Sequence, residues 1–569
     1  MTHPPGDSLR LDRPSLAVAA FLALALLAPS CARAPRGERA VRGEIKRQLG
    51  QGFRLFRRPT VDADDLQPLV RRFYRGRGFR PAWTSGRGPT ADARLLRRAL
   101  DQAPREGLDP STYALGRIDS LMKRATPRFL GPRTPTRSLA ALDLLLTRAF
   151  LGFAAHLSTG QVDPRALPAD WHVRRRRVNL VAILSDSLHA HHVPEALAAM
   201  PPRDPRYAAL GGALERYRAI AAAGGWSPIP PGPTLRRGQH GPRVVALRAR
   251  LARAGDLPPQ GSRSAVFDGE TEAALRRVQE RLGLTPDGVA KAQDLAALNV
   301  PVERRVRQIE LNMERWRWVP DSLGDSYLMV NIPAFALELY EQGKPALTSR
   351  VVVGKQFSPT PMFSDRITYL VINPSWYLPA SIIAREVLPA MMQDRSYLKH
   401  TGIRVFDSPH PDAREVDPAK VNWSSLDWDT SSTQPFPYSF RQEPGPQNPV
   451  GHVKFMCPNQ FDVYLHDTPA GHLFSQSERD FSHGCVRVEH AVELAERLLE
   501  GVPGWSRAEL LAAFASSMRD SAVRLPQPMP VHLFYWTAWV DDRGRVQFRD
   551  DVYGLDRVLE EALGHRRPL

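Results

Sequence analysis

Hydrophobic positions change their spacing three times along the chain, and each change marks a different kind of element. From about residue 40 to 225 apolar residues recur at mixed three- and four-residue steps, as in 143–151 and 208–217. That spacing predicts helices with one buried face. Residues 226–233, with four prolines, read as a stiff linker. Over 234–300 the helical spacing returns in a compact form. Val244, Leu247 and Leu251 fall on one face, Leu275, Val278 and Leu282 on another, and Leu295 and Leu298 on a third short helix. From about 325 the period shortens to two. Runs at 327–332, 336–341, 349–354 and 367–373 alternate and are separated by Gly and Pro turns, which predicts a small β-sandwich or barrel-like sheet. Residues 380–447 are helical at first, then irregular and rich in Pro, Asp, Ser and Trp. An insertion of that length inside a β-domain predicts a lid over the site. Residues 531–540 read as one late strand, followed by a turn and a strand at 546–548.

The chain has 569 residues, enough for three or four domains of about 150 residues each. Its apolar content of 43% fits packed globular domains. The formal net charge of +17 is carried mostly by arginine. It reflects either the composition of the source genome or attraction to acidic partners such as a carboxylate-rich wall polymer. No nucleic-acid motif accompanies it, so nucleic acid is not expected as a partner. Arg10 and Arg13 precede an apolar run at 15–28, closed by Pro29-Ser30-Cys31. Residues 1–34 thus read as an export segment. It ends in a degenerate lipobox at Cys31, in an ordinary cleavage site, or as an uncleaved anchor, with a membrane tether favoured.

Two cysteines remain. Cys457 follows the apolar run 453–456 and reads as a small core residue. Cys485 sits in Ser482-His483-Gly484-Cys485-Val486-Arg487, a short loop after Tyr464-Leu465-His466-Asp467. A thiol attacks a carbonyl as its thiolate, so it needs a base or a positive charge beside it. His466, nineteen positions upstream (485 − 466), and His483 are the candidate bases. A metal site built from these histidines and cysteines is disfavoured, because no pair stands at a finger-type spacing. Neither metal nor cofactor is expected.

These motifs resemble the catalytic signature of L,D-transpeptidases with the YkuD-type domain, and more closely the large YcbB-like branch. Asn312-Met313-Glu314-Arg315-Trp316-Arg317-Trp318, Asn373-Pro374-Ser375-Trp376 and 535–539 extend the match. The entry Leu235-x-x-Gly238-x-x-Gly241 and the turn Gly283-Leu284-x-x-Asp287-Gly288 make 234–300 similar to the three-helix peptidoglycan-binding module. The resemblance implies a multidomain α+β chain. It would comprise a helical scaffold (35–230), a peptidoglycan-binding module (234–300), a β-sandwich catalytic domain with a capping insertion (301–525, insertion 380–447) and C-terminal strands and helix (526–569). It further implies that Cys485 is the nucleophile and His466 the base, oriented by a backbone carbonyl near Asp467. The Cys485 and Gly484 N–H groups and the Tyr464 hydroxyl would hold the oxyanion. A helix opening straight after the motif would lower the thiol pKa, and Gly484 would let the backbone approach substrate. Arg487 would add charge, His483 would tune the thiol or simply pack, and Asn373, Trp376 and Ser482 would meet substrate. The implied partners are peptidoglycan, as a tetrapeptide donor stem and a diamino-acid acceptor, together with carbapenem inhibitors and a partner wall synthase. The implied product is a 3→3 cross-link, with release of D-alanine. A hydrolase using the same cysteine, or attachment of a wall lipoprotein, stays open as an alternative.

Overall fold

A computed structural model describes residues 36–50, 66–85, 88–126, 135–168, 171–173, 176–259, 263–408, 410, 413–423 and 437–564. The export segment with Cys31, and residues 424–436 of the insertion, lie outside them.

The scaffold is built around the helix Thr136–Thr159. By length and composition it could cross a membrane, yet 83% of its most apolar window is buried inside the protein. It is apolar nearly all round because other helices surround it. Its one buried acid, Asp143, accepts hydrogen bonds from the Tyr74 hydroxyl (2.6 Å) and the Ala82, Trp83 and Thr84 amides (2.8–2.9 Å). A buried carboxylate this well satisfied fixes the loop before the short hairpin at 84–89.

The helices Pro242–Arg253, Gly269–Arg281 and Ala292–Leu298 form the module after the linker. Their inward residues are the expected ones, Val244, Leu247, Leu251, Leu275, Val278, Leu295 and Leu298, while Leu282 caps the second helix and is only partly buried. Asp268 caps that helix, accepting from the Thr271 amide at 2.8 Å.

The helix Val302–Trp316 joins this module to the β-domain and packs on the scaffold helix Pro205–Ala222. Glu314, 1% exposed, accepts from the Gln161 and Val162 amides and from Arg317. Asn312 and Thr537 bond each other twice, at 2.8 and 3.0 Å, and Trp316 stacks on Trp536 with centroids 4.3 Å apart. The stretches 312–318 and 535–539 are therefore the clamp between scaffold and β-domain.

Nine strands form the catalytic sheet: β1 Tyr327–Asn331, β2 Ala336–Glu341, β3 Lys344–Gly354, β4 Ser364–Ile372, β5 Val453–Met456, β6 Leu465–His466, β7 Asp480–Ser482, β8 Val486–Val488 and β9 Ser521–Phe534. Their spatial order is β7-β3-β8-β6-β5-β4-β9-β1-β2, and β2 pairs back onto β3. The eleven-residue β3 gives its first half to β2 and its second half to β8, which closes the layers on each other. Strand β9 lies between β4 and β1 in the middle of the sheet, so the boundary expected at 525/526 cuts through a core strand. The single strand expected at 531–540 is also interrupted. β9 ends at Phe534, and a separate hairpin pairs Ala538–Val540 with Val546–Phe548. Thr537 sits in the break because its hydroxyl and amide are committed to Asn312 and Asp556.

The insertion between β4 and β5 is less irregular than its composition predicts. Trp376–Tyr377, Ile403–Phe406, Glu415–Val416 and Ser439–Gln442 form a four-stranded sheet. Helical turns over 380–401 pack on it, around a small core containing Ile383, Val387, Val405 and Phe440. This cap has its own apolar nucleus.

Candidate active site

The register of three strands places the candidate residues on one sheet face. β6 and β8 run parallel, with His466 opposite Arg487, and β5 pairs antiparallel with β6, with Lys454 opposite His466. Alternate residues of a strand share a face. Lys454, His466 and Arg487 therefore form one row across three strands, and Tyr464 and Cys485 stand in the adjacent row. The Val486 amide donates to the Tyr464 carbonyl at 3.1 Å, which fixes that second row. Val453 and Phe455 point the other way, into the core.

His466 is 4% exposed, and its Nδ1 lies 2.5 Å from the Asp467 carbonyl. A carbonyl can only accept, so Nδ1 carries the proton and Nε2 is left as the basic nitrogen. Burial pushes the imidazole down to about 3, helped by Arg487 and Lys454 and opposed by the Asp467 bond. The Asp467 carboxylate is used elsewhere. It accepts from the His452 amide at 2.9 Å, in a turn where Gly451 has φ +61°. A Cβ on Gly451 would strike that carboxylate.

Cys485 is partly exposed and donates to the Asp462 carbonyl at 3.8 Å, not to His466. Burial raises its thiol above the ordinary value, while hydrogen bonds from Tyr464 and the charges of Lys454 and Arg487 pull it back. At rest the site thus holds a thiol and a neutral imidazole. Burial also raises the Tyr464 hydroxyl, which keeps its proton and remains a donor. Cys457 is 2% exposed and its thiol is pushed up to about 12, as befits an inert core residue.

The structure corrects several expectations. The helix after the motif begins only at Ala491, because β8 intervenes. Three extended residues carry the chain about 10 Å away. A helix dipole acts only near its first turn, and the thiol is raised, not lowered. Gly484 has φ +110°, but a Cβ there would meet nothing closer than 3.7 Å. The backbone conformation, not crowding, requires glycine. The Gly484 amide donates to Ser482 Oγ at 3.2 Å and so is not available to an oxyanion, whereas the Cys485 amide has no acceptor among the described residues. Ser482 is 2% exposed and donates to the Cys485 carbonyl at 2.5 Å; it shapes the turn and does not face substrate. Asn373 is 5% exposed, and its amide donates to the Ala513, Phe514 and Met518 carbonyls. It ties the end of β4 to the segment before β9. Trp376 packs against the cap core.

Two contacts were not foreseen. His483 Nε2 lies 2.6 Å from Glu386, which belongs to the π-helical turn Ile383–Val387 of the cap, so this histidine bridges the catalytic loop and the cap. Lys454 is 9% exposed, with Nζ donating to the Ser375 carbonyl at 3.1 Å and lying 4.8 Å from the Tyr464 ring centroid. The sequence held a signal for it, since Lys454 is the one charge inside a run that otherwise reads as a buried strand. Among the described residues, no cluster of His, Cys, Asp and Glu could hold a metal ion.

Residues 325–505 match the family of the L,D-transpeptidase catalytic domain, 240–298 match "Putative peptidoglycan binding domain", and 68–214 match a scaffold domain. The chain carries a YkuD-type L,D-transpeptidase catalytic domain behind a peptidoglycan-binding domain and a helical scaffold. A Haemophilus influenzae protein named "Putative L,D-transpeptidase" is 35% identical over 256 residues, 45% of this chain. The match spans about half (49%) of that relative's length. Among solved structures, an L,D-transpeptidase from Mycobacterium smegmatis is 13% identical, covering 37% of this chain and 58% of its own, with a TM-score of 0.18. One from Stackebrandtia nassauensis is 13% identical, covering 54% and 97%, with a TM-score of 0.20. Domains of these kinds act on peptidoglycan and suit a place in the cell envelope.

Proposed function

We propose that this protein is a peptidoglycan L,D-transpeptidase that forms 3→3 cross-links through a Cys485 thioester. The observation that carries the reading is the shared sheet face beneath a cap: a thiol at Cys485 and a buried, neutral imidazole at His466 with Nε2 free to take a proton.

The donor is a tetrapeptide stem, attacked at the carbonyl before its terminal D-alanine. His466 Nε2 removes the Cys485 proton as the sulfur–carbon bond forms. Because thiol and imidazole are both neutral at rest, this transfer accompanies attack and does not precede it. The carbonyl oxygen becomes an oxyanion, held by the unused Cys485 amide and the Tyr464 hydroxyl. Loss of one such donor costs about 3 kcal/mol. The carbon–nitrogen bond then breaks, and the imidazolium returns its proton to the departing D-alanine amine. The side-chain amine of a diamino acid on a second stem attacks the thioester. His466 takes the amine proton and gives it back to sulfur as the carbon–sulfur bond breaks. Protons and electrons balance without any cofactor. The Asp467 carbonyl holds the imidazole in the required tautomer throughout, the role a carboxylate plays in a conventional triad.

The wall-binding module supplies attachment to the polymer. The export segment at 1–34, with Cys31, supports a periplasmic, membrane-tethered location. Carbapenem acylation of Cys485 and cooperation with a wall synthase belong to the same proposal.

The test compares wild type with Cys485→Ala on purified disaccharide-tetrapeptide. Wild type is expected to give dimers and free D-alanine, and the variant neither. Dimers from the variant would overturn the assignment. D-Alanine without dimers would mark a carboxypeptidase, and cleavage of preformed dimers an endopeptidase.

A further inference from the structure

Lys454 is a buried ammonium in an unusual position. Its neighbours on β5, Val453 and Phe455, belong to the core. The side chain leaves that core on the opposite face, passes under the Tyr464 ring and ends 3.1 Å from the Ser375 carbonyl. Among the described residues no carboxylate stands within ion-pair distance of it. The acid that acts on it electrostatically, Asp520, is occupied by the Ser375 amide (2.7 Å) and hydroxyl (2.6 Å). A buried charge without a partner is costly, and proteins ordinarily pair it or replace it. The groups facing it from the packed elements are the Tyr464 ring just before β6, His466 on β6, Cys485 just before β8, Arg487 on β8 and Asp520 just before β9. Of these, only the Cys485 sulfur becomes an anion during the reaction.

We propose that Lys454 is the fixed counter-charge of this site: its ammonium, sealed beneath Tyr464, stabilises the negative charge that develops on Cys485. A cation at that place does two things. It favours the thiolate, and it disfavours a second cation on the adjoining His466, so the imidazole stays in its proton-accepting form. Lys454 is a positioning residue in the electrostatic sense, since its side chain touches Tyr464 and Ser375 and not substrate. Arg487, opposite His466 on the other side, contributes charge as well. But it is less buried, and its long side chain is held by no hydrogen bond among the described residues, so it does not fix a charge at one point as Lys454 does. The inference rests on the reading of Cys485 as nucleophile.

The test needs no peptidoglycan, so its failure can be told from failure of that reading. The full chain is treated with iodoacetamide across about pH 6–11, and mass spectrometry follows alkylation of the Cys485 peptide alone. Three forms are compared: wild type, Lys454→Gln and Lys454→Arg. Glutamine keeps a donor for the Ser375 carbonyl while removing the charge. The expected result is a midpoint about one unit higher in Lys454→Gln, a roughly tenfold slower alkylation below it, and recovery in Lys454→Arg. One unit is the low end of what a neighbouring opposite charge produces. If Lys454 merely ties the cap to the sheet, Lys454→Gln will alkylate with the wild-type profile, and the proposal falls. Should Lys454→Gln lose its fold by circular dichroism, the arginine variant decides. A wild-type midpoint in folded Lys454→Arg supports the role of charge, and a midpoint raised as far as one unit refutes it.

Discussion

The buried imidazole of His466 ties the stability of the fold to pH. In the unfolded chain it takes its ordinary value near 6.5, and in the fold burial depresses it to about 3. Between those values the unfolded state binds a proton that the native state does not. Stability therefore rises with pH through this window, is fully present above about 6.5, and is lost as pH falls toward 3. One unit is worth about 1.4 kcal/mol, so the whole window amounts to about 5 kcal/mol and the loss at pH 5 to about 2 kcal/mol. Replacing His466 with Gln removes the titrating group. Urea unfolding at pH 7 and pH 5 should show wild type losing about 2 kcal/mol more than His466→Gln over that interval, a difference that keeps growing as pH falls toward 3. Proton NMR of the ring gives the same quantity directly, as an imidazole resonance that does not titrate between pH 5 and 8. A His466 resonance titrating near 6.5 would rule out the buried imidazole, because the ring would then be solvated in the native state. It would also move the resting site toward a thiolate–imidazolium pair, and proton transfer would no longer need to accompany attack.

Two further outcomes follow from the corrected roles of neighbouring residues. Gly484→Ala forces an alanine to φ +110°, which costs about 1–3 kcal/mol. The melting temperature should fall and carbapenem acylation of Cys485 should slow together; a variant unchanged in both would show that the turn relaxes freely. Asn373→Ala strands three carbonyl contacts in the interior, a loss of about 1–3 kcal/mol. It should lower the melting temperature and leave KM for the donor stem unchanged. A raised KM at an unchanged melting temperature would restore Asn373 to the substrate surface.

Much of the architecture is legible in the pattern of residues. Helical spacing gives the scaffold and the wall-binding module, down to the faces carrying Val244, Leu247 and Leu251. Period-two runs give most of the strands. The misreadings share a cause, which is that chemical type does not reveal what a side chain faces. Asn373 and Ser482 look available for substrate, but each is buried with its polar atoms already bonded. Residues 531–540 look like one strand, yet Thr537 is captured by Asn312 more than two hundred positions away. The stretch after Cys485 looks like a helix start because Ala491 onward is helical, whereas pairing with β3 and β6 makes 486–488 a strand.

From residue types and spacing alone come Cys485 and His466 as the candidate thiol and base, and a peptidoglycan-binding module in front of them. Those are local matters of chemistry and spacing. Which charges surround the thiol depends on strand pairing and on the cap. The antiparallel register of β5 on β6 sets Lys454 beside His466, the parallel register of β8 sets Arg487 on its other side, and the cap brings Glu386 to His483 across 97 positions. Electrostatic effects on a thiol depend on distance and burial. Both are fixed by strand pairing and packing, which join residues far apart in the chain.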